Sequence, residues 1–306
     1  MHEGNWQRLA ASVMLAWLPC AAVAACGGHG DHNSMVVPAA WLAEHLKDPN
    51  LVMLGIGQQS EYEGAHIPGS QFLSYPDIYL PKSQEGLRVE LPPMERLTGI
   101  FEKLGVSNGS RIVLYPLENW SSQTARVYLT LDAMGLGARA SILDGGLPVW
   151  RSEGRPVTKD APTVARGKLE PCPQTDVIAK LDFVRASMRK PGVDIVDARN
   201  PEYYTGAQVP AGQRAGHIPG SSNITFSTLL DEKGKLLPDE AIEAKFRDAG
   251  IQPGDCVVSY CHIGQQASLV YFVARYLGYD ARMYDGSWDE WSAHAELPAD
   301  TGAYHR

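Results

Sequence analysis

The feature of this chain that most constrains its fold is a long internal repeat. Three segments return in the same order, at offsets of 151, 145 and 141 residues. They are Ala65–Ser70 with Gly216–Ser221, Leu104–Tyr115 with Ala249–Tyr260, and Asp144–Trp150 with Asp285–Trp291. A period near 145 residues is too long for the short unit of a solenoid and has the size of a whole domain. The sequence therefore predicts two related domains in tandem.

Strand and helix patterns alternate within each copy. In the second copy, short apolar runs typical of buried strands are separated by helical spacings of apolar residues that end at glycines. Strands are expected at 193–196, 256–260 and 281–284, and helices at 239–249, at 266–277 and from Ser287, where Ser-x-x-Glu has the form of a capping box. This alternation predicts an α/β fold in which each domain is a mostly parallel sheet flanked by helices. We expect the domains at 35–155 and 176–300, joined by a proline-rich linker.

The N-terminal segment has the pattern of an export signal. Residues 9–25 form a largely apolar run of 17 that ends in small residues. This length and ending favour a signal peptide over residues 1–25 rather than a membrane span or an uncleaved helix. The segment Val23–Cys26 resembles a bacterial lipobox, which makes Cys26 a candidate for lipidation, and plain secretion is the alternative. Both interpretations predict an extracytoplasmic protein, either periplasmic or lipid-anchored to the cell envelope, and that anchor would be its only membrane contact.

Charge and cysteine usage exclude several other classes. The chain has 27 Lys and Arg residues against 35 Asp and Glu residues, a net charge of −8. A nucleic-acid partner is disfavoured because duplex binding usually requires a basic face. The five cysteines are too few and too irregularly spaced for a disulfide framework, and they form no Cys-x-x-Cys pair for a zinc ribbon.

One cysteine has the setting of a nucleophile. Cys261 follows an expected strand and precedes a Gly-containing loop and a helix. At such a turn, free backbone N–H groups and the helix N-terminus favour thiolate over thiol, and Gly264 lets the loop curl around the sulfur. Cys172 and Cys256 are expected to be structural. The equivalent segment of the first copy, 115–120, has no cysteine, so the first domain is expected to be inactive.

Taken together, these motifs resemble the tandem-domain rhodanese family of sulfurtransferases over about residues 35–300. The resemblance is carried by His-Ile-Pro-Gly-Ser in both copies, by Tyr260-Cys261-x-x-Gly264-x-x-Ala267, and by Asp285-Gly286-Ser287 with the two following tryptophans. In this family an inactive N-terminal domain precedes an active C-terminal domain. The resemblance implies that the Cys261 thiolate takes the outer sulfur of thiosulfate, holds it as a persulfide and passes it to cyanide or a thiol. It implies a small anionic sulfur donor and no metal or organic cofactor.

The resemblance also assigns roles to individual positions. Asp197-Ala198-Arg199 matches the family's Asp-x-Arg, so Arg199 is expected to bind the anionic donor, with Asp197 as its structural support. The alternative for Arg199 is a surface ion pair. The other expected substrate-binding residues are those of the loop: His262, Gly264, Gln265, Gln266 and Ala267. With so few cations, thiosulfate should bind weakly, and more tightly as His262 becomes protonated near its reference pKa of about 6.5. The histidines of the two HIPG segments and the tryptophans are expected to be structural.

Alternatives remain within and outside sulfur transfer. The residues after Cys261 match neither the Arg and Lys frequent in thiosulfate enzymes nor the Gly and Ser frequent in mercaptopyruvate enzymes, so 3-mercaptopyruvate is the alternative donor. A Cys-x5-Arg phosphatase is disfavoured because the expected Arg position holds Ala267. A non-enzymatic sulfur carrier that delivers the persulfide to a protein, and a duplicated scaffold without activity, are the other candidates.

Overall fold

The two copies of the repeat form two parallel sheets. The computed structural model describes residues 32–82, 86–119 and 121–303. Within them, each copy contributes five parallel strands with helices packed around them. This confirms the predicted α/β fold, in which each of two tandem domains is a parallel sheet flanked by helices.

The first domain has the strand order β1-β5-β4-β2-β3. Its elements are α1 His32–Met35, β1 Val36–Val37, α2 Ala39–His45, β2 Leu51–Gly57, α3 Gln59–Gly64, β3 Gln71–Ser74, α4 Met94–Lys103, β4 Arg111–Pro116, α5 Ser121–Ala133, β5 Ala140–Leu143 and α6 Gly146–Ser152, with 3-10 helices at Tyr75–Ile78 and Gly137–Arg139.

The second domain repeats this order as β6-β10-β9-β7-β8. Its elements are β6 Ile178–Ala179, α7 Leu181–Ser187, β7 Val193–Asp197, α8 Pro201–Tyr204, β8 Ser222–Asn223, α9 Asp239–Asp248, β9 Cys256–Tyr260, α10 Ala267–Tyr276, β10 Asp280–Tyr284 and α11 Ser287–Ala293, with a 3-10 helix at Phe226–Leu229. The central strands β4 and β9 are apolar because helices cover both faces of each sheet.

The start of α11 differs from the sequence prediction. Gly286 is the N-cap residue and makes no side-chain capping bond, so the predicted capping box is wrong. Ser287 instead has a left-handed φ of 53°, and its hydroxyl donates to the carbonyl of Tyr284 at 2.8 Å. The same oxygen accepts a hydrogen bond from the backbone N–H of Cys261 at 3.2 Å. The serine therefore fastens the Cys261 loop rather than capping the helix.

The histidines of the HIPG segments are structural, as the sequence predicted. His66 is fully buried, and its Nδ1 donates to the carbonyl of Tyr62 at 2.7 Å. His217 makes the same bond to the carbonyl of Tyr204 at 2.7 Å, and each imidazole stacks on that tyrosine's ring. Each histidine thus secures the turn that follows the first long strand of its domain.

The two domains share one apolar core. Helix α5 of the first domain packs on α10 of the second, and buried side chains from both sheets join in one cluster. Tyr128 of α5 meets Phe272 of α10 edge to face, with ring centroids 4.8 Å apart. A buried ion pair crosses the same interface, with Arg275 Nε 3.3 Å from Asp132 Oδ2. Because apolar area is buried between the domains, they are expected to unfold together.

The predicted signal peptide and Cys26 lie outside the described residues. Across residues 32–82, 86–119 and 121–303, no helix combines the length and the apolar character that a membrane crossing requires.

Replacing Phe272 by Ala tests the shared core. Phe272→Ala removes a ring that both domains contact, and we expect the free energy of unfolding to fall by about 3–5 kcal/mol in a single transition. Denaturant unfolding followed by far-UV circular dichroism and tryptophan fluorescence measures this change. Val209→Ala, at a residue that is 47% exposed, is the control and should stay within about 0.5 kcal/mol of wild type. Two separate transitions, with only one of them shifted, would contradict a shared core.

Candidate active site

Cys261 lies at the carboxyl edge of the second sheet. It directly follows the central strand β9, and five residues separate it from the first residue of α10. In parallel α/β sheets this edge is where ligands bind. The Cys261 side chain has no exposed surface, because the loop, α10 and the start of α11 surround it.

The loop directs several backbone donors at the sulfur. The backbone N–H groups of Ala267, Ile263, Gln266 and Gly264 hydrogen-bond to Cys261 and lower the pKa of its thiol. Burial acts in the opposite direction and is the larger effect, so the pKa of Cys261 is raised overall. The sequence correctly predicted converging donors that favour thiolate, but it did not anticipate that desolvation of a fully buried sulfur outweighs them. Those donors will have most effect once the sulfur becomes anionic.

Gly264 gives the loop its curvature. It has a left-handed φ of 82°, and a Cβ at this position would lie 2.9 Å from the backbone oxygen of Asp285 and 3.2 Å from Nη1 of Arg126. The carbonyl of Gly264 accepts a hydrogen bond from the hydroxyl of Ser268 at 2.8 Å. Only a residue without a side chain combines this backbone conformation with this close approach.

The first turn of α11 holds the loop from the opposite side. The backbone N–H of Trp288 donates to the carbonyl of Cys261, and that of Asp289 to the carbonyl of His262, both at 3.0 Å. Trp288 and Trp291 are fully buried, as expected for core residues. The loop is therefore fixed by backbone hydrogen bonds to elements on both sides.

Arg199 is buried rather than on the surface. Its Nη2 lies 2.6 Å from Oδ2 of Asp197 and 2.8 Å from the carbonyl of Gly216, and its guanidinium lies 4.8 Å from the ring centroid of Trp288. Burial lowers the pKa of Arg199, but the Asp197 carboxylate raises it further, so the side chain remains a cation. The alternative of a surface ion pair is wrong, because both side chains are at most 1% exposed. Donor binding by Arg199 stays a prediction, and the structure places Asp197 where it orients this arginine.

His262 has a different charge state from the one expected. The half-buried imidazole meets the ring of Tyr203 edge to face at 4.6 Å. Burial, followed by the positive charge of Arg199, lowers the pKa of His262 to about 4. His262 is therefore neutral at pH 6–8, and its effect on donor binding stays a prediction. Any such effect moves to about pH 4.

The two loop glutamines have different surroundings. Gln265 accepts a hydrogen bond from the hydroxyl of Tyr75 at 3.3 Å and lines a cavity of about 380 Å³ between the domains. The other polar side chains of this cavity are neutral and come from the first domain: Gln58, Gln59, Ser74, Tyr75, Tyr79 and Gln123. The Oε1 atom of Gln266 is buried and has no hydrogen-bond partner among the described residues. The roles of both glutamines in substrate binding stay predictions.

The first domain also contributes charged residues that sequence reasoning missed. Arg126 of α5 lies 2.6 Å from Asp285, which follows β10, and Arg88 lies 2.8 Å from Asp289 of α11. The first copy lacks a site motif, so its pattern gave no indication of these contacts. The one available signal in the sequence was an arginine next to an apolar run, between Ala125 and Val127 of α5.

The other two described cysteines are not candidate nucleophiles. Cys256 is half-buried, and burial followed by the nearby Asp280 carboxylate raises the pKa of its thiol to about 11. Cys172 is disulfide-bonded and has no free thiol, which agrees with the structural role expected for it. In the part of the chain that the structure describes, no cluster of three or more His, Cys, Asp or Glu side chains is arranged to hold a metal ion.

Comparison with known proteins agrees with the duplication. The rhodanese-like domain family matches residues 38–153 and 181–294. Thiosulfate sulfurtransferase of Azotobacter vinelandii is 30% identical over 268 residues, which cover 87% of this chain and 97% of that protein. The sulfur carrier protein TtuD of Thermus thermophilus is 30% identical over 287 residues, which cover 89% and 98%. The structure of Escherichia coli SseA, described as a 3-mercaptopyruvate sulfotransferase with the rhodanese fold, superposes with a TM-score of 0.72 at 24% identity, covering 83% of this chain and 99% of that one.

The chain therefore belongs to the rhodanese family. Within that family it is a tandem-domain sulfurtransferase, as the resemblance in the sequence predicted.

Replacing Gly264 by Ala tests the loop geometry. We expect Gly264→Ala to slow sulfur transfer about tenfold or more, because the added methyl group must displace the donors around Cys261. Gly254→Ala is the matched control: Gly254 also has a left-handed φ, of 92°, but a Cβ there would meet no atom within 4 Å. Steady-state rates and melting temperatures of both variants separate site geometry from backbone strain. Equal losses of activity in the two variants would show that the close contacts at Gly264 do not matter.

Proposed function

We propose that this chain transfers a sulfane sulfur from thiosulfate to cyanide or a thiol through a persulfide on Cys261. The observation that carries the proposal is the convergence of four backbone N–H groups on a single buried cysteine sulfur. A persulfide anion and a thiolate both carry a negative charge in this place, and fixed dipoles can stabilise both without reorganising. The relative in Azotobacter vinelandii named thiosulfate sulfurtransferase supports the choice of donor.

The first half-reaction loads the sulfur. The Cys261 thiolate attacks the outer sulfur of thiosulfate, an S–S bond forms to Cys261, and the S–S bond within thiosulfate breaks. Sulfite leaves with the bonding electron pair, and the negative charge of the thiolate passes to the terminal sulfur of the persulfide. The loop N–H groups then face an anion in both states and need not reorganise during the step.

The second half-reaction returns the thiolate. Cyanide or an acceptor thiolate attacks the terminal sulfur of the persulfide, and the bond to Cys261 breaks. The bonding pair returns to Cys261, which is again a thiolate, and the product leaves as thiocyanate or as a persulfide of the acceptor. Charge is conserved in each half-reaction, so no external oxidant or reductant is required.

3-Mercaptopyruvate is the second candidate donor, and the structural similarity to SseA supports it. The cavity beside Gln265 favours neither donor by charge, because its polar side chains are neutral amides and hydroxyls. Both donors present a sulfur to the same thiolate, so a direct comparison of their rates decides between them.

The alternative function is that of a sulfur carrier, which passes the persulfide sulfur to a protein rather than to a small molecule. The relative in Thermus thermophilus named a sulfur carrier protein supports it. The complete burial of Cys261 is the counterargument, because a protein thiol must displace more of the surrounding structure than a small acceptor does. Persulfide transfer to added protein thiols, compared with transfer to cyanide, distinguishes the two.

Replacing single cysteines tests the nucleophile. We expect Cys261→Ser to abolish thiocyanate formation, because a hydroxyl cannot form the persulfide. Cys256→Ser is the matched control and should keep its activity within about twofold, because its thiol lies on the strand and its pKa is raised to about 11. Both variants are assayed with thiosulfate and with 3-mercaptopyruvate. Activity that survives in Cys261→Ser would refute the proposed mechanism.

We further propose that residues 1–25 direct export and that Cys26 carries a lipid anchor. The support is the apolar run 9–25 and the lipobox-like Val23–Cys26. Mass spectrometry of the protein from its native host is expected to show a chain that begins at residue 25 or 26, with a diacyl adduct where Cys26 is lipidated. Cys26→Ser should release the protein from the membrane fraction. An intact Met1 in a cytosolic fraction would refute export.

A further inference from the structure

We propose that the first domain takes part in the chemistry through Arg126, a positioning residue that holds the Cys261 loop and keeps a positive charge beside the Cys261 sulfur. The inference rests on the proposed persulfide chemistry. The first domain, which has no nucleophile, would then have a specific electrostatic role and would not be only a scaffold.

The guanidinium of Arg126 lies at the junction of both domains. Arg126 is fully buried in α5, and its Nη1 atom donates to Oδ1 of Asp285 at 2.6 Å and to the carbonyl of Gly264 at 3.5 Å. Its Nη2 atom donates to the carbonyl of Val89 at 2.5 Å. One side chain of the first domain therefore contacts the active loop and the carboxylate beside it.

Burying Arg126 costs free energy of folding that packing does not explain. Val89, which supplies one acceptor, has a left-handed φ of 63°, an unfavourable conformation for a β-branched residue. The Nε–H of Arg126 is buried and has no hydrogen-bond partner among the described residues. A buried arginine with a strained neighbour and an unpaired N–H group contributes little to the stability of the fold, because a well-packed apolar side chain would stabilise it as well or better. These costs point to a functional reason for the charge.

Electrostatics supply that reason. Burial raises the pKa of Cys261, and a fixed cation in a poorly solvated site lowers the free energy of the anionic forms of the sulfur. Arg126 and Cys261 act on each other in this way. Burial alone would lower the pKa of Arg126, but the Asp285 carboxylate more than offsets this, and the pKa stays above its usual value. An arginine side chain does not lose its proton near neutral pH, so Arg126 is a cation with or without Asp285. The other titratable groups that interact with Cys261 are Tyr75 from the first domain and Arg199 from the second. Asp285 acts on Tyr75, and Asp197 and Tyr260 act on Arg199. His262 follows Cys261 directly in the chain.

The interface provides a matched control. Arg275 of α10 and Asp132 of α5 form a second buried ion pair between the two domains. None of the groups that act on the pKa of Arg275 belongs to the Cys261 loop. Loss of this pair disturbs domain packing much as loss of Arg126 does, but it leaves the charge next to the sulfur unchanged.

The test is the pKa of Cys261 in Arg126→Gln, read from the pH dependence of its alkylation by iodoacetamide and resolved by peptide mass spectrometry. We expect this pKa to rise by about one unit, a tenfold loss of thiolate at pH values below it. Arg126→Lys, which keeps the charge, should recover most of the shift, and Arg275→Gln should show none. Thiosulfate turnover measured in parallel should fall in kcat more than it rises in KM.

Asp285→Asn keeps the test decisive if Arg126→Gln does not fold. It removes the negative charge that offsets Arg126, so the pKa of Cys261 should fall, the opposite of the first shift. A Cys261 pKa in Arg126→Gln that stays within about 0.3 unit of wild type, or an equal rise in Arg275→Gln, would overturn the proposal. Alkylation does not require sulfur transfer, so either of these results would leave the proposed function intact. Activity in Cys261→Ser, in contrast, would refute the proposed function but not the effect of Arg126 on the Cys261 pKa.

Discussion

The structure of the site depends on one interaction, the convergence of backbone N–H groups on the sulfur of Cys261. It requires the loop after β9 to curl back on itself, which the left-handed Gly264 permits, and α10 to begin at Ala267. Backbone donors cannot titrate or rotate away, so their direction is set by the fold alone. The hydroxyl of Ser287 and the first turn of α11 keep the loop in this shape.

The need to stabilise a negative charge on the buried sulfur also explains why the chain has two domains but one nucleophile. A thiolate buried without compensation is unfavourable, and the raised pKa of Cys261 shows that the loop alone does not offset its desolvation. Arg199 from the second domain and Arg126 from the first are both buried, and each is held by a carboxylate, Asp197 or Asp285. The shared apolar core between α5 and α10 fixes the distance between the domains and therefore the position of the second cation.

The sequence revealed those features of the site whose residues are close together in the chain. The nucleophile and its glycine were predictable, because a strand, a loop and a helix that adjoin in sequence also adjoin in space. Arg126 was not, since its partner Asp285 is 159 residues away and in the other domain. The charge of His262 was misjudged because its pKa depends on burial by packing, which no local pattern encodes. The fold itself was predictable because the duplication displays each motif twice.

The most direct test of the persulfide mechanism is the mass of the peptide that contains Cys261 after the enzyme has reacted with thiosulfate and no acceptor. The mechanism predicts a gain of one sulfur atom on Cys261, the release of one equivalent of sulfite, and the loss of the added mass when cyanide is supplied. It also predicts that Cys256 stays unmodified. An unmodified Cys261 in an enzyme that still turns over thiosulfate, or the added sulfur on another residue, would contradict it.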